Sequence, residues 1–201
     1  MVRRSAARPL NLRVASGDGL VLMVFVTLAQ AYYALAAFLL LAGWLIVTDA
    51  PVLRSFRRSK GATYLLGLLA IGWFAWWLMN IPEADLAGLP RLPVVIGFIG
   101  ASLATFVYMP DFLSVRALGV CMLFLARHAL DGGYRQLPHS LLEASVSYGV
   151  LILFGFWWAC SPPVFCRQCD WVLATDGRRK FFGGLSLLLA AACVVQSLRL
   201  L

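Results

Sequence analysis

LVLMVFVTLAQAYYALAAFLLLAGWLIVT, residues 20–48, contains no Asp, Glu, Lys or Arg, and with Gly19 ahead of it forms a thirty-residue run without charge. About 20 helical residues at about 1.5 Å each cross a hydrocarbon core roughly 30 Å thick, so this run spans a bilayer with residues to spare. As one helix it would measure about 45 Å and is expected to tilt or protrude. Five further apolar runs follow. Residues 61–81 and 92–109 carry no charge, 112–130 carry Arg116, Arg127 and His128, 141–160 carry Glu143, and 181–198 stop at Arg199. The pattern predicts an all-α fold, a polytopic transmembrane helical bundle of about six spans with five as the alternative, in a single integral membrane domain over residues 1–201.

Composition agrees with that reading. The apolar set makes up 62% of the chain and charged residues 13%, too apolar for a soluble domain, in which that set plus glycine is about 45–50%. A soluble enzyme, a disordered tail, a disulfide-stapled secreted domain and a free nucleic-acid-binding module are thereby excluded. The short alternating strands of an outer-membrane barrel are not seen. The breaks between runs hold helix-ending chemistry: Asp49-Ala50-Pro51, then Pro82-Glu83-Ala84-Asp85, then Met109-Pro110-Asp111, which is short enough to predict a tight antiparallel hairpin with Asp111 as N-cap. Asp131-Gly132-Gly133 ends the fourth run, and Ser140 with Glu143 reads as a capping box opening the fifth.

Arg3, Arg4, Arg8 and Arg13, the apolar residues after them and Ala29-Gln30-Ala31 resemble a secretory signal with its cleavage site, but the apolar run continues to Val47, as in an uncleaved signal-anchor. Orientation is undecided by charge. Six spans with the N-terminus inside place eight Lys and Arg inside and nine outside, whereas an interfacial or re-entrant first run would give thirteen against four.

Ionisable groups at membrane depth are site candidates by default. Arg116 and Arg127 lie about 20° apart on one helical stripe, which Asp131 extends, so they could form a cationic track for an anion or lipid headgroup, or snorkel to opposite interfaces. Glu143 is a capping residue or a proton or cation site near Arg127. His128 and His139, which flank one loop, could share a haem or metal. Cys160 and the C-x-x-C pair Cys166 and Cys169, expected in a loop over residues 161–180, are redox or metal candidates. Arg167 between the pair would favour thiolate, although three cysteines fall short of a zinc site. Cys121 and Cys193 read as packing residues. Gly97 with Ala101 and Gly100 with Ala104 suggest close packing of the third span. Trp73, Trp76, Trp77, Trp157 and Trp158 suggest interface belts.

No phosphate-binding loop, zincin motif or nucleophile elbow is present, and no cofactor is evident. The expected function is non-catalytic: a structural or accessory subunit of a membrane complex, in contact with the lipid bilayer and a membrane protein partner, with no nucleic acid. The alternatives are a membrane thiol oxidoreductase or metal-binding protein using the C-x-x-C, and a transporter or lipid-handling protein using Arg116 and Arg127. The basic tracts that make up the net charge of +8 would hold anionic headgroups if cytoplasmic. An integral protein of a bacterial inner membrane is the default location.

Overall fold

The computed structural model describes residues 27–81, 86, 89–108 and 112–200, with backbone alone for 105–108. Every regular element among the described residues is helical: α1 Leu28–Val47, α2 Pro51–Ser55 with a 3-10 turn Phe56–Arg58, α3 Lys60–Asn80, α4 Arg91–Tyr108, α5 Leu113–Gly133, α6 Leu141–Val146, α7 Leu153–Cys160, α8 Pro162–Leu173 and α9 Asp176–Leu200. A π-helical segment, Ser147–Ile152, joins α6 to α7. Five stretches are long and apolar enough to cross a membrane, namely α1, α3, α5, the continuous α6–α7 run Leu141–Cys160, and α9. The third apolar run forms α4, a sixth helix whose fully described portion, Arg91–Ala104, is shorter.

The first helix starts later than its apolar run. Thr27 is extended and its hydroxyl accepts from the Gln30 N–H at 3.3 Å, while Gln30 Oε1 accepts from the Thr27 N–H at 3.0 Å. This reciprocal pair satisfies two donors that a helix start leaves unpaired, so α1 begins at Leu28 instead of running through as one 45 Å rod. It is 20 residues long, about 30 Å. Residues 19–26 and the N-terminal arginines lie outside the described residues. Ala29-Gln30-Ala31 falls in the first turn of α1, where Leu28 and Ala31 are buried in the core.

Contacts between helices fix their directions. Ser186 Oγ donates to the Leu39 carbonyl at 2.8 Å and Ser197 Oγ to the Ala29 carbonyl at 3.1 Å, so α9 runs antiparallel to α1. Cys121 lies by the Leu66 carbonyl, Trp73 by Phe124 and His128, and Trp77 by Arg127, so α3 and α5 are parallel. Two parallel helices need a return between them, and α4 supplies it. Its Phe98 ring sits 4.0 Å from that of Phe74, and Arg91 Nη2 donates to the Ile81 carbonyl at 2.8 Å. Six helical passes thus alternate in direction. The Tyr32 end gathers the starts of α1, α4 and α6 and the ends of α3, α5 and α9. The Asp49 end gathers the opposite termini, together with α2 and α8. Over its described residues the first run does not fold back on itself, because α1 extends from one end to the other without reversal. The 109–111 connection and its expected cap Asp111 lie outside the described residues. The residue that enters α5 is Phe112, in the left-handed region at φ 61°.

Close helix crossings fall elsewhere than the spacing of small residues predicted. A Cβ on Gly97 or Gly100 would meet nothing within 4 Å, so that edge of α4 is open. The tight crossings are Gly119 with Gly155, between α5 and α7, and Gly43 with Gly183, between α1 and α9. A Cβ on Gly119 would lie 2.5 Å from the Gly155 carbonyl oxygen, and one on Gly43 3.0 Å from that of Gly183. Without a hydrophobic drive between helices in lipid, such backbone proximity is what holds them together. Gly119→Ala is therefore expected to destabilise the fold by about 1–3 kcal/mol through overpacking. Gly72→Ala, facing open space on α3, should leave stability unchanged or slightly raised, as thermal unfolding in one detergent would measure.

Candidate functional site

Apolar helices bury few polar groups, and the Tyr32 end concentrates those this chain buries. Tyr32 is 0% and Glu143 1% exposed. Tyr32 projects from the first half of α1, and its hydroxyl donates to the His139 carbonyl at 2.6 Å while accepting from the Glu143 N–H at 3.2 Å. One phenol thus supplies both a donor and an acceptor to the entrance of α6, where a helix start would otherwise leave an N–H unpaired. Cys193 of α9, fully buried, lies within electrostatic reach of both Tyr32 and Glu143.

The expected capping box at this entrance does not form. Ser140 makes no side-chain cap, and the Glu143 carboxyl turns along the helix, where its Oε1 accepts from Ser147 Oγ at 2.9 Å. The reason is the neighbouring α5: the carboxyl packs against Gly133, where a Cβ would collide with Glu143 Oε2, and the phenol already occupies the Glu143 N–H. Ser147 opens the π-helical segment, a rare widening of the helix that often accompanies functional sites. Glu143 does not meet Arg127.

The two arginines of the α5 stripe serve separate neighbours. Arg116, part-buried near the Asp49 end, donates from Nη1 to the Ala159 carbonyl at 3.2 Å, and its Nε is buried without a partner. Arg127, with its side chain 51% exposed, pairs with Asp131 at 3.7 Å and lies 4.7 Å above the Trp77 ring. The His128 ring meets Trp73 edge-on at 5.1 Å, and His139 is exposed. The structure brings neither pair together as a site. Of the tryptophans, Trp158 ties α7 to α8 by donating to Gln168 Oε1 at 2.7 Å, whereas Trp76 and Trp157 stay exposed.

The C-x-x-C pair lies on a helix, correcting the expected loop. Pro162 starts α8 at N1, and Pro162, Phe165 and Leu173 turn inward at helical spacing. Cys160 is exposed at the end of α7, and Cys160, Cys166 and Cys169 are all free thiols. Leu53, Arg54, Arg57, Cys166, Cys169 and Asp170 line a cleft of about 120 Å³. The cation acting on Cys166 is Arg57, where Arg167 had been expected, and burial still pushes that thiol up, with Asp170 reinforcing the rise. Burial, with Cys166 and Asp170 adding to it, pushes Cys169 up to about 12. Such thiols are poor nucleophiles at neutral pH. Among the described residues no group of three or more His, Cys, Asp or Glu could hold a metal ion.

Comparison with protein-family models, with curated proteins and with solved structures finds no match to this chain.

Sequence reasoning named Glu143 but missed Tyr32 and Ser147. Ser147 at i+4 from Glu143 was the one available signal. Tyr32 had none, being one of two adjacent tyrosines in a charge-free run, 111 positions from its partner. Tyr32→Phe is expected to cost about 1–3 kcal/mol, because it strips a buried N–H and a carbonyl of their partner at once. Glu143→Gln, which keeps the shape and an acceptor for Ser147, should cost less than Tyr32→Phe, and paired unfolding measurements decide this. At pH 8 alkylation of Cys169 should run on the order of a hundredfold slower than that of a free thiol, and accelerate as pH rises through 10. Mass spectrometry of timed labelling reads this out.

Proposed function

We propose that this chain is a non-catalytic polytopic membrane protein whose six alternating helices all cross the bilayer, and that it is a structural or accessory subunit of a membrane complex. The observation that carries the reading is the position of α4. Val95, Phe98 and Ile99 pack α4 against Leu78 and Phe74 of α3. On the side away from α3, Gly97 and Gly100 are exposed and stand in open space. In lipid a face of small residues gains little from the acyl chains but lets a second helix approach to backbone distance, so it suits a transmembrane helix of a partner protein. The other polar groups support the same reading, because they are used within the chain. Glu143 and Tyr32 clamp the α6 entrance and Arg116 caps the end of α7. The transport and thiol-exchange readings gain no such support.

Extraction in a mild detergent followed by native electrophoresis and light scattering tests this. The wild-type chain should migrate in an assembly well above its own 22.1 kDa, with a second polypeptide present in fixed ratio. Gly97→Leu combined with Gly100→Leu should release it as a monomer of unchanged thermal stability. A wild-type monomer, an assembly of this chain alone, or a double variant that keeps its partner would each overturn the reading.

A further inference from the structure

The three arginines of the α2 turn project from a rigidly held piece of backbone. Phe56, at the start of the 3-10 turn, packs on Phe165 of α8 with ring centroids 5.6 Å apart, and its carbonyl accepts from Ser114 Oγ of α5 at 2.9 Å. Arg54 is set by Asp49, at 2.9 Å, and Arg57 lies 5.9 Å from the Phe112 ring. Arg54, Arg57 and Arg58, with Pro51 and Ser55, then line one open cleft of about 290 Å³. Arg54 and Arg57 also wall the smaller cleft over Cys166 and Cys169. Among the described residues Asp49 is the one acidic group in ion-pair contact with these three arginines, and it is shared with Arg179 at 3.2 Å.

The surroundings carry the same sign. The Asp49 end holds Arg54, Arg57, Arg58, Lys60, Arg116, Arg167, Arg178, Arg179 and Lys180 against Asp49, Asp170 and Asp176 among the described residues. The cleft lies between the end of α1 and the start of α3, at the level where the apolar passes stop. Val52 of α2, next to Pro51 in the chain, is exposed, so an acyl chain has apolar surface to follow. A cationic cleft at the edge of the hydrocarbon region matches an amphiphile with a phosphate at the headgroup and no compensating ammonium.

We propose that the cleft formed by Pro51, Arg54, Ser55, Arg57 and Arg58 is a binding site for the phosphate of an anionic phospholipid headgroup. Arg57 and Arg58 provide the charge-assisted donors, and Arg54, already oriented by Asp49, completes the wall. The site is independent of the α4 face and holds whether or not the chain has a protein partner.

The test uses the full chain in phosphatidylcholine nanodiscs, doped stepwise with phosphatidylglycerol at low ionic strength, with retained lipid read by native mass spectrometry and stability by thermal unfolding. Phosphatidylglycerol should be retained at one per chain and raise the unfolding temperature. Arg57→Gln with Arg58→Gln should weaken retention at least fivefold while unfolding as the wild type does in pure phosphatidylcholine. Arg167→Gln with Lys180→Gln, outside the cleft, should retain the lipid normally. Equal retention of phosphatidylcholine would overturn the proposal, as would equal losses in the two double variants, which would mean a diffuse cationic surface. Stabilisation by inorganic phosphate to the same extent would do so too, assigning the cleft to a free anion. Should Arg57→Gln with Arg58→Gln fail to fold, Arg58→Gln alone, at an exposed position, serves as the variant, and undiminished retention by it overturns the site.

Discussion

The rest of the bundle depends on how closely α1 and α9 approach at Gly43 and Gly183. Each glycine faces the other's backbone carbonyl, with Leu187 and Val47 packed beside them. A side chain at either position would push the helices apart, and in lipid no hydrophobic gain would draw them back. Seated in this way, the first and last described helices close the bundle. Their contact brings Tyr32 and Cys193 into one buried cluster and sets Arg179, at the start of α9, between Asp49 and Asp176. The Gly119 and Gly155 crossing does the same for α5 and α7.

The two ends handle polar groups differently. Inside the Tyr32 end a buried cluster is satisfied by hydrogen bonds: a phenol satisfies an N–H and a carbonyl, and a carboxyl is held by a serine one turn away. A low dielectric makes each of those bonds costly to lose, and the cluster fixes the angle at which α6 enters. At the Asp49 end most of the polar groups are charged, and they stand on α2 and its 3-10 turn, on α8 and on the start of α9. Asp49 is the hub there, since Arg54 and Arg179 reach it from opposite sides and tie α2 and the start of α9 to the end of α1.

Much of the candidate chemistry was visible as residue types but not as partners. Glu143 stood out as a lone acid in an apolar run, yet its spacing from Ser140 suggested a cap, and only the proximity of Gly133 and the reach of Tyr32 redirect it. The C-x-x-C pair was visible too. Its neighbour in sequence, Arg167, proved irrelevant to Cys166, because on a helix adjacent residues point about 100° apart and the cation that faces the thiol comes from α2. The small-residue spacing on α4 suggested close packing, but among the described residues a Cβ on Gly97 or Gly100 would meet nothing within 4 Å. The glycines that do cross were passed over because each pair joins two distant helices, Gly43 with Gly183 and Gly119 with Gly155.

What the sequence determined by itself was the class and the long helices: an all-α chain of about six apolar runs, of which five form helices long and apolar enough for a bilayer, whereas the helix over Pro162–Leu173 was not legible in it. These follow from length, charge and local capping, each complete within a few residues of chain. Only the tertiary structure decided which glycines touch, that Tyr32 meets Glu143, and that Arg57 of the α2 turn faces Cys166. Those features depend on contacts between segments tens to more than a hundred residues apart, and helix periodicity carries no information about them. A helix in lipid is apolar on nearly every side, so its sequence hardly marks the face that meets a neighbour, and packing geometry settles the choice.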